Sequence, residues 1–393
     1  MSTLIYGKGV VDGTGTGLRA GVGVLVENGR IIELGPVSHL RTRTEESIDL
    51  GDVVLLPGFV DAHTHISIRP GEGDQHGQLR QPSIRQALRG VGNVRRMLKS
   101  GVTTARVMGE KDGLDFEFKW AIASGEIPGP RLFVSGTALS ASNGHGAALG
   151  VADGVDEIRT AVRTNLKNGA DHIKLFMTGG VSSSGGDIYA YHYSREEVRA
   201  IVEEAHRAGR KVAAHAHGGE GVTLCAEEGV DSVEHGGLLT DGNIAELAKA
   251  GTRLVLTNTI AFHPSGIEQG DAGDASIIAK MKTVRTTIEQ TFERIKASGL
   301  HFALGTDSMH GLFGFELEWL VRHGLTPEEA VIAATRHGAE VMGLENDLGT
   351  LEPRKFADIV ALNGNPLEDI RAVYKVRAVL KEGRTVVDNG EES

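Results

Sequence analysis

The sequence predicts a (β/α)8 TIM barrel with a small β-sandwich domain formed from both chain termini. Three observations predict it. Between Leu55 and about Gly349, eight short apolar runs alternate with amphipathic stretches, the pattern of one parallel sheet wound with helices. Histidine, lysine or aspartate side chains lie within or at the exit of several of these runs, at the end of the barrel where this fold keeps its working groups. Residues 1–53 and the C-terminal stretch instead hold short β-like pieces separated by turn glycines. The expected boundaries are 1–56 with 350–393 for the sandwich and 57–349 for the barrel. With 393 residues, 40% of them hydrophobic, the chain can bury one large core or two unequal ones.

The elements follow in order. Asn28-Gly29 between two apolar runs is a hairpin signal, because both residues tolerate the positive φ of a tight turn. The eight apolar runs are 55–59, 103–108, 131–135, 173–177, 212–215, 232–235, 253–257 and 302–305. Among the intervening helices, one opens at Ser194 with Glu197 three residues on, a capping box, and closes at Ala208-Gly209. Another opens at Thr326-Pro327, with proline at its first position. Near the C-terminus, Ala357-Asp358-Ile359-Val360-Ala361-Leu362 and the run around Val379 and Val386 read as strands again. Neither end has enough strand to bury a face alone; together they do.

The chemistry sits at the strand exits. Asp61-Ala62-His63-Thr64-His65 ends the first run, and side chains two apart on a strand leave the same face. Two neutral imidazoles converging there are half of a divalent metal site. Lys174 lies inside an apolar run, where an unpaired ammonium is costly. His215 and His217 end the fifth run, His235 the sixth and Asp307 follows the eighth. Any one of these suits an ordinary strand terminus; the set does not suit packing.

Composition excludes several classes. A net charge of −11 argues against a nucleic-acid partner, which requires basic stripes. The single Cys225 allows no internal disulfide framework and suits a reducing compartment. No stretch is long and apolar enough for a bilayer, and no signal-peptide pattern opens the chain, so no membrane partner and a cytoplasmic location are expected.

The set His63-x-His65, Lys174, His215, His235 and Asp307 resembles the amidohydrolase superfamily. Asn143-Gly144-His145-Gly146, the Thr178-Gly179-Gly180-Val181 that follows Lys174, and the closing Gly349-Thr350-Leu351-Glu352 with Ala357-Asp358-Ile359-Val360 are similar to its imidazolonepropionase-like and prolidase-like branch. The likeness spans essentially the whole chain. It implies two Zn2+ ions bridged by a carboxylated Lys174 and a hydroxide, one ion held by His63 and His65 with Asp307 close by, the other by His215 and His235. It implies Asp307 as general base and then general acid in the hydrolysis of small dipeptides or N-acyl amino acids. His145, His217 and Tyr191 are the expected substrate contacts, and a homo-oligomer is implied. A mononuclear relative opening a cyclic amide, or one attacking a xenobiotic carbamate, urea or toxin amide, stays open, as does a non-catalytic barrel scaffold. Tyr189, Tyr191 and Tyr193 in the loop 182–193 form either an aromatic wall or a solvated loop packed on its own rings. Residues 264–281 are a candidate lid. Glu234 is expected to be structural and to point away from the site, and His76 and His263 to lie on the surface.

Overall fold

Eight parallel strands among the described residues carry the site: Phe59–Thr64 (β1), Val102–Val107 (β2), Arg131–Phe133 (β3), His172–Phe176 (β4), Lys211–Ala216 (β5), Ser232–His235 (β6), Arg253–Leu256 (β7) and Phe302–Leu304 (β8). The computed structural model describes residues 2–182 and 187–390. β1 to β3 form one sheet and β4 to β8 another. The sheets meet at two seams. Leu139 bridges Leu175 on one side, and on the other the Asp307 amide donates to the His63 carbonyl at 2.9 Å. Both faces of β1, β2 and β4 are buried, so their sequences read as continuous apolar runs rather than as alternations.

Helices cover the outside. The helix Arg195–Arg207 carries the Ser194–Glu197 capping box, and Pro327–Ala334 begins on its proline as the sequence predicts. Arg195–Arg207 turns Val198, Ile201, Val202 and Ala205 inward, the i, i+3, i+4, i+7 stripe of a helix lying on a core.

Both termini feed two further sheets. One has four strands, in the order Arg30–Pro36, Val22–Glu27, Ser2–Tyr6 and Glu46–Asp49. The other has six, in the order Arg384–Asp388, Val376–Lys381, Ile359–Leu362, Val54–Pro57, Gly9–Val11 and Leu18–Ala20. Ile5, Val24, Leu55, Ile359 and Leu380 share one apolar cluster between them. The Asn28-Gly29 turn has φ of 51° and 78°, the double left-handed geometry of a tight hairpin.

One expected strand is divided. The apolar run 55–59 is not the first barrel strand: Val54–Pro57 pairs with Ile359–Leu362 in the terminal sheet, and the barrel begins at Phe59. Gly58 is the corner, since a Cβ there would collide with the Thr103 side chain. Hydrophobicity cannot mark this boundary, because the chain passes from one buried sheet directly into another.

Candidate metal centre

β1 delivers His63 and, one residue beyond it, His65. β8 approaches so closely that a Cβ on Gly305 would lie 2.7 Å from the His63 amide nitrogen; only glycine fits. His63 Nε2 lies 3.5 Å from Asp307 Oδ1, and one donor atom from each of His63, His65 and Asp307 falls within 4.8 Å of the others. The opposite ring nitrogens are engaged. His63 Nδ1 faces Glu234 Oε2 at 2.8 Å and His65 Nδ1 faces the Gly109 carbonyl at 2.8 Å. Each acceptor fixes the proton on Nδ1 and turns an Nε2 lone pair toward the cluster. Burial holds the His65 imidazole down at about 4, so it is neutral. Burial pushes the Asp307 carboxyl up, but its contact with His63 and the charge of Lys174 outweigh it and keep it ionised.

His215 and His235 continue the cluster. The His235 ring lies 4.7 Å from His63 and 4.6 Å from His215, centroid to centroid. His235 Nδ1 pairs with Thr257 Oγ1 at 2.7 Å, and His215 Nε2 with the Gly179 carbonyl at 3.2 Å. Burial lowers both imidazoles well below their ordinary value. His235 and Asp307 both adopt positive φ, 72° and 46°, which few side chains other than glycine accept. Such strain persists where the surroundings impose it, and here both residues belong to the cluster.

Lys174 is fully buried and its Nζ has no hydrogen-bond partner among the described residues. Burial lowers the ammonium to about 8, with Glu234 and Asp307 pulling the other way. An orphan buried amine beside neutral imidazoles and a carboxylate is the donor set that a pair of divalent cations would complete, so these residues fit the metals.

A polar layer beneath the cluster was not anticipated. Arg106 donates to Glu234 at 2.8 and 3.0 Å, to Ser232 Oγ at 3.0 Å and to the Ala62 carbonyl at 2.7 Å. Glu234 therefore points into the barrel and buttresses His63, contrary to the expectation that it turns away. Glu234 shares its face with Ser232, whose hydroxyl donates to it at 2.6 Å, and the positive φ of His235 breaks the alternation, so two neighbours both serve the site. Burial raises the Glu234 carboxyl, but Arg106 and His63 outweigh it and bring it to about 2. Glu110, also buried, accepts from the Ile66 amide and the Ser67 hydroxyl and holds the chain just after His65. Arg106 inside an apolar run carries the same sequence signal as Lys174; Glu110 carries none.

The cluster opens into two adjoining cavity lobes that share His145, Ser182, His215, His235 and Asp307. The second lobe is walled by Ile260, Ile267, Met281, Val284 and Ile288, with His217 and Asn258 as polar points. His145 lies 4.9 Å from the His215 ring, in a loop where a Cβ on Gly146 would strike Phe176. Its Nδ1, the His217 Nδ1 and the Asn258 Nδ2 are buried and have no partner among the described residues.

Other expected positions differ. Tyr191 is 41% exposed and lines neither lobe; its strand-like pairing with Thr178 turns it over Gly221. Tyr193 is buried and donates to the Ala152 carbonyl, and Tyr189 is exposed, so no aromatic wall forms; residues 183–186 of that loop lie outside the described residues. Apolar side chains from 260–288 supply the wall instead. His76, expected on the surface, lines the first lobe with its ring 5.6 Å from His145. The segment 264–281 includes the short helix Ile267–Gly270 and runs into the long helix Ala275–Ser298, and it contributes Ile267 and Met281 to the cavity wall.

Residues 54–386 match the model of the amidohydrolase family. The chain belongs to this family. It is 31% identical to Ochratoxinase of Aspergillus niger, over 96% of this chain and 84% of that protein. It is 26% identical to Imidazolonepropionase of Symbiobacterium thermophilum, over 94% and 91%. The crystal structure of a Xaa-Pro dipeptidase with methionine bound in its active site superposes with a TM-score of 0.90 at 29% identity, covering 99% of this chain and all of that one. This amidohydrolase is thus a hydrolytic enzyme acting on amide bonds, with His63, His65 and Asp307 as a candidate metal site. No helix among the described residues is long and apolar enough to cross a membrane.

Proposed function

We propose that this amidohydrolase cleaves small N-acyl amino acids or dipeptides at a pair of zinc ions, and that the substrate's bulky apolar group lies in the second lobe. The observation that carries the metal pair is Lys174, a buried amine without a hydrogen-bond partner among the described residues, beside histidines from β1, β5 and β6. As an amine it is an unpaid cost; as a carbamate, formed with CO2 and loss of a proton, it becomes an anionic oxygen ligand. His63 and His65 with Asp307 would hold one ion, His215 and His235 the other, and the carbamate would bridge them. The metals supply, when bound, a lowered pKa for water and polarisation of the scissile carbonyl.

The chain's own residues do the rest. Asp307, kept ionised, accepts the proton of the attacking water and passes it to the departing nitrogen, which leaves poorly unless protonated. Glu234 and the Gly109 carbonyl hold the imidazoles of His63 and His65 in one tautomer throughout. No lysine or arginine lines either lobe among the described residues, so a substrate carboxylate or carbonyl is met by His145, His217 and Asn258. The apolar wall, together with the likeness to Ochratoxinase, also favours a second reading, a bulky toxin-like amide. The test is hydrolysis of a panel of dipeptides, N-acyl amino acids, aromatic amides, cyclic amides, carbamates and ureas with zinc and bicarbonate supplied. Turnover concentrated in substrates with a bulky apolar group supports the proposal; turnover confined to cyclic amides or to carbamates and ureas refutes it.

A further inference from the structure

At the end of the barrel opposite the catalytic mouth, His301 precedes β8, and His337 and Glu340 stand one turn apart on the helix Arg336–Met342. One donor atom from each falls within 4.8 Å of the others, and the two rings are 5.1 Å apart. His337 Nδ1 donates to the Phe302 carbonyl at 2.9 Å, which leaves the Nε2 lone pair free, as a metal ligand requires. The Glu340 carboxylate is only loosely paired: Arg336 and Arg253 approach at 3.8 and 3.9 Å, beyond hydrogen-bond length.

We propose that His301, His337 and Glu340 form a separate site for one borderline transition-metal ion, zinc or nickel, outside the active site. Two imidazoles and one carboxylate suit these ions and not calcium or magnesium, which take oxygen ligands. His301 is solvent-exposed and the other two are half-buried, so water completes the coordination. The ion ties the start of β8 to a helix that packs on both β1 and β8, at the seam where the barrel's two sheets meet. Its role is to brace that seam from the face opposite the reaction. Asp231 and Glu345 share this cleft with Lys211 and Arg253, and Arg336 stands beside Glu340, so the cluster sits among charges of both signs.

Equilibrium dialysis of the intact enzyme against micromolar free zinc, and separately nickel, tests the site by counting ions per chain. His301→Asn and Glu340→Gln are expected to hold one ion fewer than the wild type, with an unchanged rate of amide hydrolysis. His301→Cys, which restores a ligand, is expected to recover the ion. Added zinc should also raise the thermal midpoint of the wild type more than that of His301→Asn. Equal ion counts in the wild type and both ligand-deleted variants would overturn the proposal. Because the readout is a difference between variants, it holds whatever number of ions the catalytic cluster binds.

Discussion

At Lys174 the sequence signal and the structure converge on one residue. A lysine within an apolar strand demands a partner, and the described residues supply no hydrogen bond to it. Lys174→Ala is therefore expected to lose one metal ion and at least about 100-fold in kcat, and short carboxylic acids should restore part of the activity by standing in for the carbamate. A variant that keeps its metals and its rate would contradict the bridging role. Glu234 is the second residue to test. Glu234→Gln should weaken metal affinity by about 10–100-fold through the His63 tautomer, as losses of such supporting partners do, read out by chelator competition. Glu234→Ala should in addition destabilise the fold by about 3–5 kcal/mol, since it leaves the Arg106 guanidinium buried and unpaired. Histidines, lysine and aspartate at strand exits are legible because their spacing follows the strand period. Glu234 is structural as expected but faces inward, and the strand period alone hides this because it fails at His235, whose left-handed φ no residue identity announces. Arg106, a cation within an apolar run like Lys174, demands a buried anion, and Glu234 is that anion.

Between elements, charge does measurable work on the outside of the barrel. Helices Gly154–Lys167 and Arg195–Arg207 are joined by Glu204, which accepts from Arg159 at 2.6 Å and Arg163 at 2.8 and 3.0 Å, with Arg207 at 3.2 Å. The Arg163 hydrogen bonds lead in bringing its carboxyl from 4.5 to about 2, with Arg159 and Arg207 assisting against the cost of burial. A depressed folded pKa stabilises above the unfolded value and loses that contribution as pH falls. Acid unfolding should therefore steepen between pH 4.5 and about 2, and Glu204→Gln should flatten this window while costing about 1 kcal/mol at neutral pH. Denaturation at a series of pH values checks both. Helix ends were legible because caps are chemical, as Ser194 and Thr326 show. The division of 55–59 at Gly58 was not, because burial on both sides removes the polar punctuation that marks an ordinary strand end.

For the whole molecule, two sheets of a barrel and a pair of terminal sheets converge so that the ends of β1, β4, β5, β6 and β8 face one cavity. The wall of its second lobe comes from the segment after β7, far in sequence from the ligands, and no local pattern could assign those aliphatic residues to a substrate rather than to the core. Ile260→Ala should lower kcat/KM about tenfold for substrates with a bulky apolar group, while leaving small ones and the zinc content unchanged; steady-state kinetics across a size series decides it. On this reading one barrel mouth grips two ions through a modified lysine. Anomalous diffraction at the zinc edge from crystals grown with zinc and bicarbonate tests it most directly. The account predicts two peaks inside the barrel, one beside His63, His65 and Asp307 and one beside His215 and His235, with density for a carboxylate on Lys174 between them; a single peak with an unmodified Lys174, or none, would contradict it.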